Sequence, residues 1–232
     1  MSLFDHVFQE YSRKHENEVN HDLKIVKPKH SQQISNMIQT TLQRGHKVWL
    51  TTDWHLWMFD KKTREVSRRS DFNRVINTYN KTVDDHDLVI YLGDLTDGEV
   101  EKRQELGKII QSLKGTKILV RGNNDLFPDE WYIQNGFKFV TPKFIYKNIL
   151  FSHMPLPHNN RMNIHGHIHG YKTYYLPYNN MIDVAFLNGR KQPVELQTVI
   201  DALPRYAKQI KMIPEKFEQY LQESYVVDPF GD

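Results

Sequence analysis

The sequence has no cysteine. That excludes disulfides and thiolate metal sites, so any metal must be held by histidine, carboxylate or amide oxygen. Such donors suit manganese, iron, zinc or nickel. Long apolar runs are missing as well: none approaches the roughly 20 residues that span a bilayer. The start, Met1-Ser2-Leu3-Phe4-Asp5-His6, runs into charged residues rather than an apolar core. The chain is therefore read as cytoplasmic, with no secretory signal. Strong charge of one sign is also lacking. A net +3 with neutral histidines is too mild to argue for nucleic acid by itself. What is present is a globular mixture, 39% hydrophobic and 25% charged over 232 residues. That favours a folded chain over disorder and is long enough for one large α/β domain. Histidines are plentiful, twelve in all, which matters only if they converge.

Phe4, Val7, Phe8 and Tyr11, at i, i+3, i+4 and i+7, predict a short amphipathic helix. Residues 15–29 form a connector broken by Pro28. Ile34, Met37, Ile38 and Leu42 predict a second helix, capped by Ser31 and ended by Gly45. Residues 1–45 thus read as a helical extension packed on the body, and 46–232 as a single domain finishing in C-terminal helices. The first half of that domain alternates. Residues 48–52, 88–92 and 117–120 predict buried strands. Stripes of Phe72, Val75, Ile76 and Tyr79, then Leu106, Ile109, Ile110 and Leu113, predict helices between them. That order argues for parallel strands covered on both faces. A short helix at 129–134, closed by Gly136, is followed by shorter strands. Residues 144–146 and 149–151 suggest a hairpin around Lys147 and Asn148; 163–165 and 181–185 continue the series. Residues 199–208 and 215–223 predict helices.

In parallel sheets, ligands bind outside the carboxyl ends of the strands. Metal-competent side chains follow three consecutive strands there: Asp53 and His55, then Asp94, then Asn123, Asn124 and Asp125. His153 follows a fourth. The stretch Ile164-His165-Gly166-His167-Ile168-His169-Gly170 adds imidazoles two apart, bracketed by glycines. Residues two apart on an extended segment point the same way, and glycine lets the backbone come close to whatever the rings hold. Neutral imidazole is the commonest metal ligand. An H-x-H alone is no more than a polar turn; its weight comes from its partners.

Five motifs now stand in order: D-x-H at 53–55, G-D at 93–94, G-N-N-D at 122–125, S-H at 152–153 and G-H-x-H at 166–169. On these, over residues 48–194, the chain resembles the calcineurin-like metallophosphoesterases. The resemblance implies an α/β fold, a four-layer α-β-β-α sandwich with two mixed central sheets and a metal site at the carboxyl ends of the strands. It also implies two divalent ions, manganese favoured among manganese, iron, zinc and nickel. Asp53, His55 and His169 would hold one, Asn123, His153 and His167 the other, and Asp94 would bridge them. In such a site a hydroxide between ions about 3.5–4 Å apart attacks phosphorus in line with the leaving oxygen. Asp94, Asn123, Asn124 and Asp125 are the catalytic positions of the pattern, with Asp125 placed to orient a neighbouring imidazole. Asn124 is a departure. Many members carry histidine there, as proton donor to the leaving group or as a phosphate contact. An amide cannot act as a general acid.

The function expected is phosphoester hydrolysis, diester ahead of monoester, on a phosphorylated small molecule or nucleotide. No cap domain is evident, which suits an open site. One alternative is a non-catalytic scaffold of the same fold that binds a protein partner; complete candidate ligands speak against it. Another is a nuclease, supported by the basic stretch Lys61, Lys62, Arg64, Arg68 and Arg69. Nucleic acid is not favoured, because acidic residues lie nearby. No membrane partner is expected. Trp54, Trp57, Met58 and Phe59 are read as covering the sheet or a dimer surface rather than walling a pocket. Arg121 faces phosphate or pairs with an acid at the sheet edge. His158 and His165 are read as ordinary histidines, and Tyr171, Tyr174, Tyr175 and Tyr178 as core packing.

Overall fold

A computed structural model describes residues 30–56, 69–96, 102–147, 149–154, 162–167, 175–176, 181–187 and 192–201. The expected helices at 4–11 and 215–223 lie outside them, as do Lys61, Lys62, Arg64 and Arg68.

Helix α1 (Ser31–Gln43) buries Ile34 and Ile38. Ser31 does not cap it: His30 holds the N-cap position without a side-chain bond. The Ser31 hydroxyl instead accepts from the N–H of Ile145 at 3.2 Å, and Ser35 donates to the Ile145 carbonyl at 3.0 Å. Ile145 sits on an edge strand whose free backbone groups need partners, and that demand draws the serines away from the helix end.

Strands β1 (Val48–Thr51), β2 (Leu88–Tyr91) and β3 (Thr116–Val120) alternate with helices α2 (Arg69–Thr82), α3 (Arg103–Ser112) and α4 (Asp129–Gln134). A fourth strand, β4 (Phe137–Thr141), was not expected; it lies parallel to β3. Strands β5 (Lys143–Tyr146) and β6 (Ile149–Ser152) form the expected hairpin, with Lys147 at φ +46°. Then come β7 (Met162–His165), β8 (Tyr175–Leu176), β9 (Met181–Asp183), helix α5 (Val184–Leu187) and β10 (Val194–Glu195). The strand expected at 181–185 stops early because the Asp183 carboxylate accepts the Ala185 N–H at 2.8 Å and starts α5. Residues 196–201 are helical. Among the described residues no helix is long and apolar enough to cross a membrane.

The strands form two five-stranded mixed sheets, ordered β10-β1-β2-β3-β4 and β5-β6-β7-β9-β8. Only β10 is antiparallel in the first; β5 and β8 are antiparallel in the second. Alternation along each strand divides the core in two. Val48, Leu50, Leu88, Ile90, Ile118 and Val120 meet Phe144, Phe151, Ile164 and Ile182 of the second sheet, with α1 alongside. The opposite residues, Trp49, Val89, Tyr91 and Leu119, meet Val75 and Tyr79 of α2, Leu106 and Ile110 of α3, and Trp131 of α4. With two covered faces, the first sheet keeps only its strand ends for chemistry.

Candidate metal centre

The pairing of β1 with β2 does not stop where the strands do. Leu92 N–H donates to Thr51 O at 2.8 Å, Asp53 to Gly93 O at 3.0 Å, His55 to Asp94 O at 3.0 Å and Leu56 to Leu95 O at 3.1 Å. The loops carrying Asp53, His55 and Asp94 thus run side by side. The backbone is left-handed at Asp53 (φ +53°), His55 (+44°), Asp94 (+53°) and, after β7, His167 (+73°). Lys147 is the one other such non-glycine among the described residues. This conformation costs an ordinary residue about 1–2 kcal/mol, and strain of that kind collects at functional sites. Close approach explains two glycines. A side chain at Gly122 would overlap the Asp94 carboxylate, and one at Gly166 the Thr52 hydroxyl and Asp53.

Two groups of ligand-type atoms result: Asp53 with His55 and Asp94, and Asp94 with His153 and His167. Within each group the atoms lie within 4.8 Å of one another. His55 Nε2 stands 3.7 Å from Asp53 Oδ1 and 3.6 Å from Asp94 Oδ2. His153 Nε2 stands 3.3 Å from Asp94 Oδ2, and 3.0 Å from both Asn123 Oδ1 and His167 Nδ1.

The donor chemistry tests whether a cation fits. His153 Nδ1 lies 2.7 Å from the Leu92 carbonyl oxygen. A carbonyl only accepts, so Nδ1 carries the proton and Nε2 of the neutral ring offers a lone pair. That lone pair faces a carboxylate oxygen and an amide oxygen, acceptors both. One cation satisfies all of them; one proton serves a single pair. Carboxylate, imidazole and amide oxygen are the donors that borderline divalent ions accept. With only protons to share, burial pushes the His153 imidazole down, but the Asp94 charge and hydrogen bond outweigh it and raise it to about 9. Burial likewise would raise the Asp94 carboxyl, yet His153 and His55 hold it far below the usual carboxylate range.

The loop after β3 locks onto Asp94. Asn124 donates its backbone N–H to Asp94 Oδ1 at 3.0 Å and its amide Nδ2 to Oδ2 at 2.9 Å. Among the described residues Asp125 bonds to main-chain amides and to no imidazole. Its oxygens accept the N–H groups of Gly122 at 2.8 Å, Asp94 at 3.0 Å and Leu95 at 3.1 Å. Three main-chain donors on two adjoining loops fasten one loop to the other. Burial first, and then the Asp94 charge, push the Asp125 carboxyl up to about 6. Arg121 takes the second of its two expected roles. It pairs with Asp129 and donates to the carbonyls of Asp125 at 2.7 Å and Phe127 at 2.6 Å, which shapes the same loop.

A model of the calcineurin-like phosphoesterase family matches residues 46–228. The chain belongs to that family. An uncharacterized protein of Methanocaldococcus jannaschii is 29% identical over 100 residues, which are 40% of this chain and 56% of that one. The chain thus spans just over half the length of this curated relative. Among solved structures, a protein of unknown function from Aquifex aeolicus has 20% identity and a TM-score of 0.46, covering 67% of this chain and 98% of that chain. The nuclease MPE of Pseudomonas putida has 15% identity and a TM-score of 0.39, over 60% and 74%.

In this member of the family, Asp53, His55, Asp94, Asn123, His153 and His167 come together, while His169 lies outside the described residues. So do Trp57, Met58, Phe59, His158, Tyr171, Tyr174 and Tyr178. Trp54 covers the sheet as expected. It is buried edge-on to Tyr79 and Tyr91, with its indole N–H on Thr51 Oγ1 at 2.8 Å. His165 is fully buried, its Nδ1 2.8 Å from the Gly166 carbonyl oxygen. Burial pushes its imidazole down to about 4, which keeps the ring neutral and so no general acid at neutral pH. Thr52 was missed. Its hydroxyl lies 2.8 Å from Asp53 Oδ2 and 2.9 Å from Leu92 O. Its only sequence signal is its place between the strand and Asp53.

Proposed function

We propose that this chain hydrolyses phosphoesters at a centre of two divalent ions, phosphodiesters ahead of phosphomonoesters. One observation carries the reading: the Asp94 carboxylate belongs to both groups of ligand atoms. A carboxylate common to two sites suits two-metal hydrolysis, in which the ions sit about 3.5–4 Å apart. Asp53 and His55, with His169 carried over from the family pattern, hold one ion. Asn123, His153 and His167 hold the other. Manganese is favoured; iron, zinc and nickel accept the same donors. Bound ions of this kind neutralise charge on phosphoryl oxygens and supply a nucleophile from water at neutral pH.

The chain's own residues hold and orient. The backbone N–H of His167 reaches Asp53 Oδ1 at 3.2 Å and Oδ2 at 3.0 Å, so together with Thr52 it fixes that carboxylate. Leu92 O fixes the His153 ring and its tautomer, and Asn124 fixes Asp94. Partners behind a ligand set its direction and basicity. Asp53, His55, Asp94 and His153 are buried, whereas Asn123, Asn124 and His167 are half-buried. An ester approaches over that rim. There Asn124 presents an amide and not an acid, so the leaving group takes its proton from water. That favours esters whose leaving groups need little help, and a phosphorylated small molecule or nucleotide fits the rim.

The test is to measure manganese, iron, zinc and nickel in the purified chain, then compare a nitrophenyl phosphodiester with a nitrophenyl phosphomonoester. Bound metal with faster diester turnover is expected. Bound metal with neither ester hydrolysed would favour the scaffold reading, a fold kept to bind a protein partner.

A further inference from the structure

A cationic feature lies on the two helices that follow β2 and β3, the strands whose ends carry Asp94 and Asn123. Helices α3 and α4 enclose a cleft of about 480 Å³, lined by Arg103, Gln104, Lys108 and Gln111 on one side and Trp131 and Asn135 on the other. Among the described residues the lining holds two cations and three amides and no carboxylate. Glu105, the nearest acid on α3, is 3.2 Å from Lys102 and is neutralised there. The floor is built by close contact. Gly107 has no side chain because Asn135 Oδ1 occupies the space, and Gln111 Nε2 donates to that oxygen at 3.3 Å. Arg103 lies over the rings of Phe127 (5.7 Å) and Trp131 (5.6 Å). Among the described residues Arg103 meets these aromatic rings and pairs with no carboxylate, which leaves its N–H groups to an anion.

The cleft is tied to the chemistry through the chain. Phe127, under Arg103, belongs to the loop of Asn123, Asn124 and Asp125. Arg121 grips the carbonyls of both Asp125 and Phe127. Between them Leu126 is 65% exposed. Because α3 follows β2, its Arg103 end lies at the carboxyl edge of the sheet and its Gln111 end points away. Arg103 and Lys108 are five residues apart, about 7.5 Å along the helix axis, and both line the cleft.

We propose that the α3–α4 cleft binds phosphates of a single-stranded nucleic acid whose scissile diester lies at the metal centre, with Arg103 and Lys108 as the phosphate contacts. This rests on the phosphodiester reading and names its substrate class. A single strand can bend successive phosphates into a recess between packed helices. A duplex, stiff over about 150 base pairs, presents them on a rigid cylinder.

The test uses the full chain with Arg103→Gln and Lys108→Gln together, neither of which touches the candidate ligands. Anisotropy of a short labelled DNA single strand, with chelator present, reads binding apart from catalysis. The double variant is expected to bind roughly tenfold more weakly, with a log–log salt slope shallower by about 1.4, at about 0.7 per lost contact. With metal loaded, its KM for the strand should rise at unchanged kcat, while a nitrophenyl diester is cleaved as by the parent. Equal strand binding by parent and variant overturns the proposal. So does an equal loss on the small diester, or a duplex bound as tightly as the single strand. If the parent cleaves no diester yet the binding difference persists, the cleft assignment stands and the catalytic reading falls.

Discussion

Asn124 touches Asp94 twice, through its backbone and its side-chain amide, and that sets what a substitution there does. Asn124→Ala removes one of two holds on the shared carboxylate. Loss of a partner behind a ligand typically costs about 10–100-fold in metal affinity, readable by titration against a competing chelator. Asn124→His trades the hold for an acid. It is expected to raise kcat by about 10²-fold on alkyl esters, with poor leaving groups, and to leave nitrophenyl esters nearly unchanged. An equal change on both would sink the missing-acid account. Asp94→Asn cuts deeper: fewer ions bound per chain and hydrolysis lost, at unchanged circular dichroism. Full activity in that variant would rule out a two-metal mechanism. At this scale the sequence was only half legible. Asn124 showed as an absent histidine, but its amide reaches 30 positions back along the chain, and nothing local announces that.

Between α2 and β2, Asp87 closes a turn with three accepted bonds. Its oxygens take the N–H of Lys47 at 2.8 Å, the indole N–H of Trp49 at 2.8 Å and the N–H of Asp84 at 3.0 Å. Burial would raise this carboxyl, but the bonds from Trp49, Lys47 and Asp84 outweigh it and lower it below the ordinary aspartate value. A depressed folded value stabilises the fold above the unfolded value, and the gain is lost as pH falls through the folded one. The stability of the parent should therefore drop below about pH 4, and Asp87→Asn should flatten that drop. The variant should also lose about 1–3 kcal/mol at neutral pH, because an amide nitrogen would face a donor. Urea midpoints at pH 7 and pH 3 check both. Elements were legible where burial was continuous. All four residues of β1 and of β2 are buried, and so are four of five in β3. β4 escaped because exposed Lys138 and half-buried Phe139 break its apolar run. β8 and β10, two residues each, are too short to carry any pattern.

For the whole molecule, parallel strands explain why so much of the site was readable. They send every carboxyl end to one edge, so Asp53, His55, Asp94 and Asn123 could be placed together from strand order alone. What strand order cannot give is which loops lie against each other, and with it the grip of Thr52 on Asp53, of Arg121 on the β3 loop and of Asp125 on its three amides. The pairing of the first two strands continues through Asp53, His55 and Leu56, and this has a consequence in exchange kinetics. Those amides sit in loops by position but are locked like strand amides, so they should exchange slowly in heavy water even after chelation. Mass-spectrometric exchange on chelated protein checks it; protection that vanished with the metal would mean the ions hold the loops in shape. With the ladder in place, little chain entropy remains to be lost when ions arrive. Affinity should then follow the ligand atoms themselves and not the ordering of the segments that carry them.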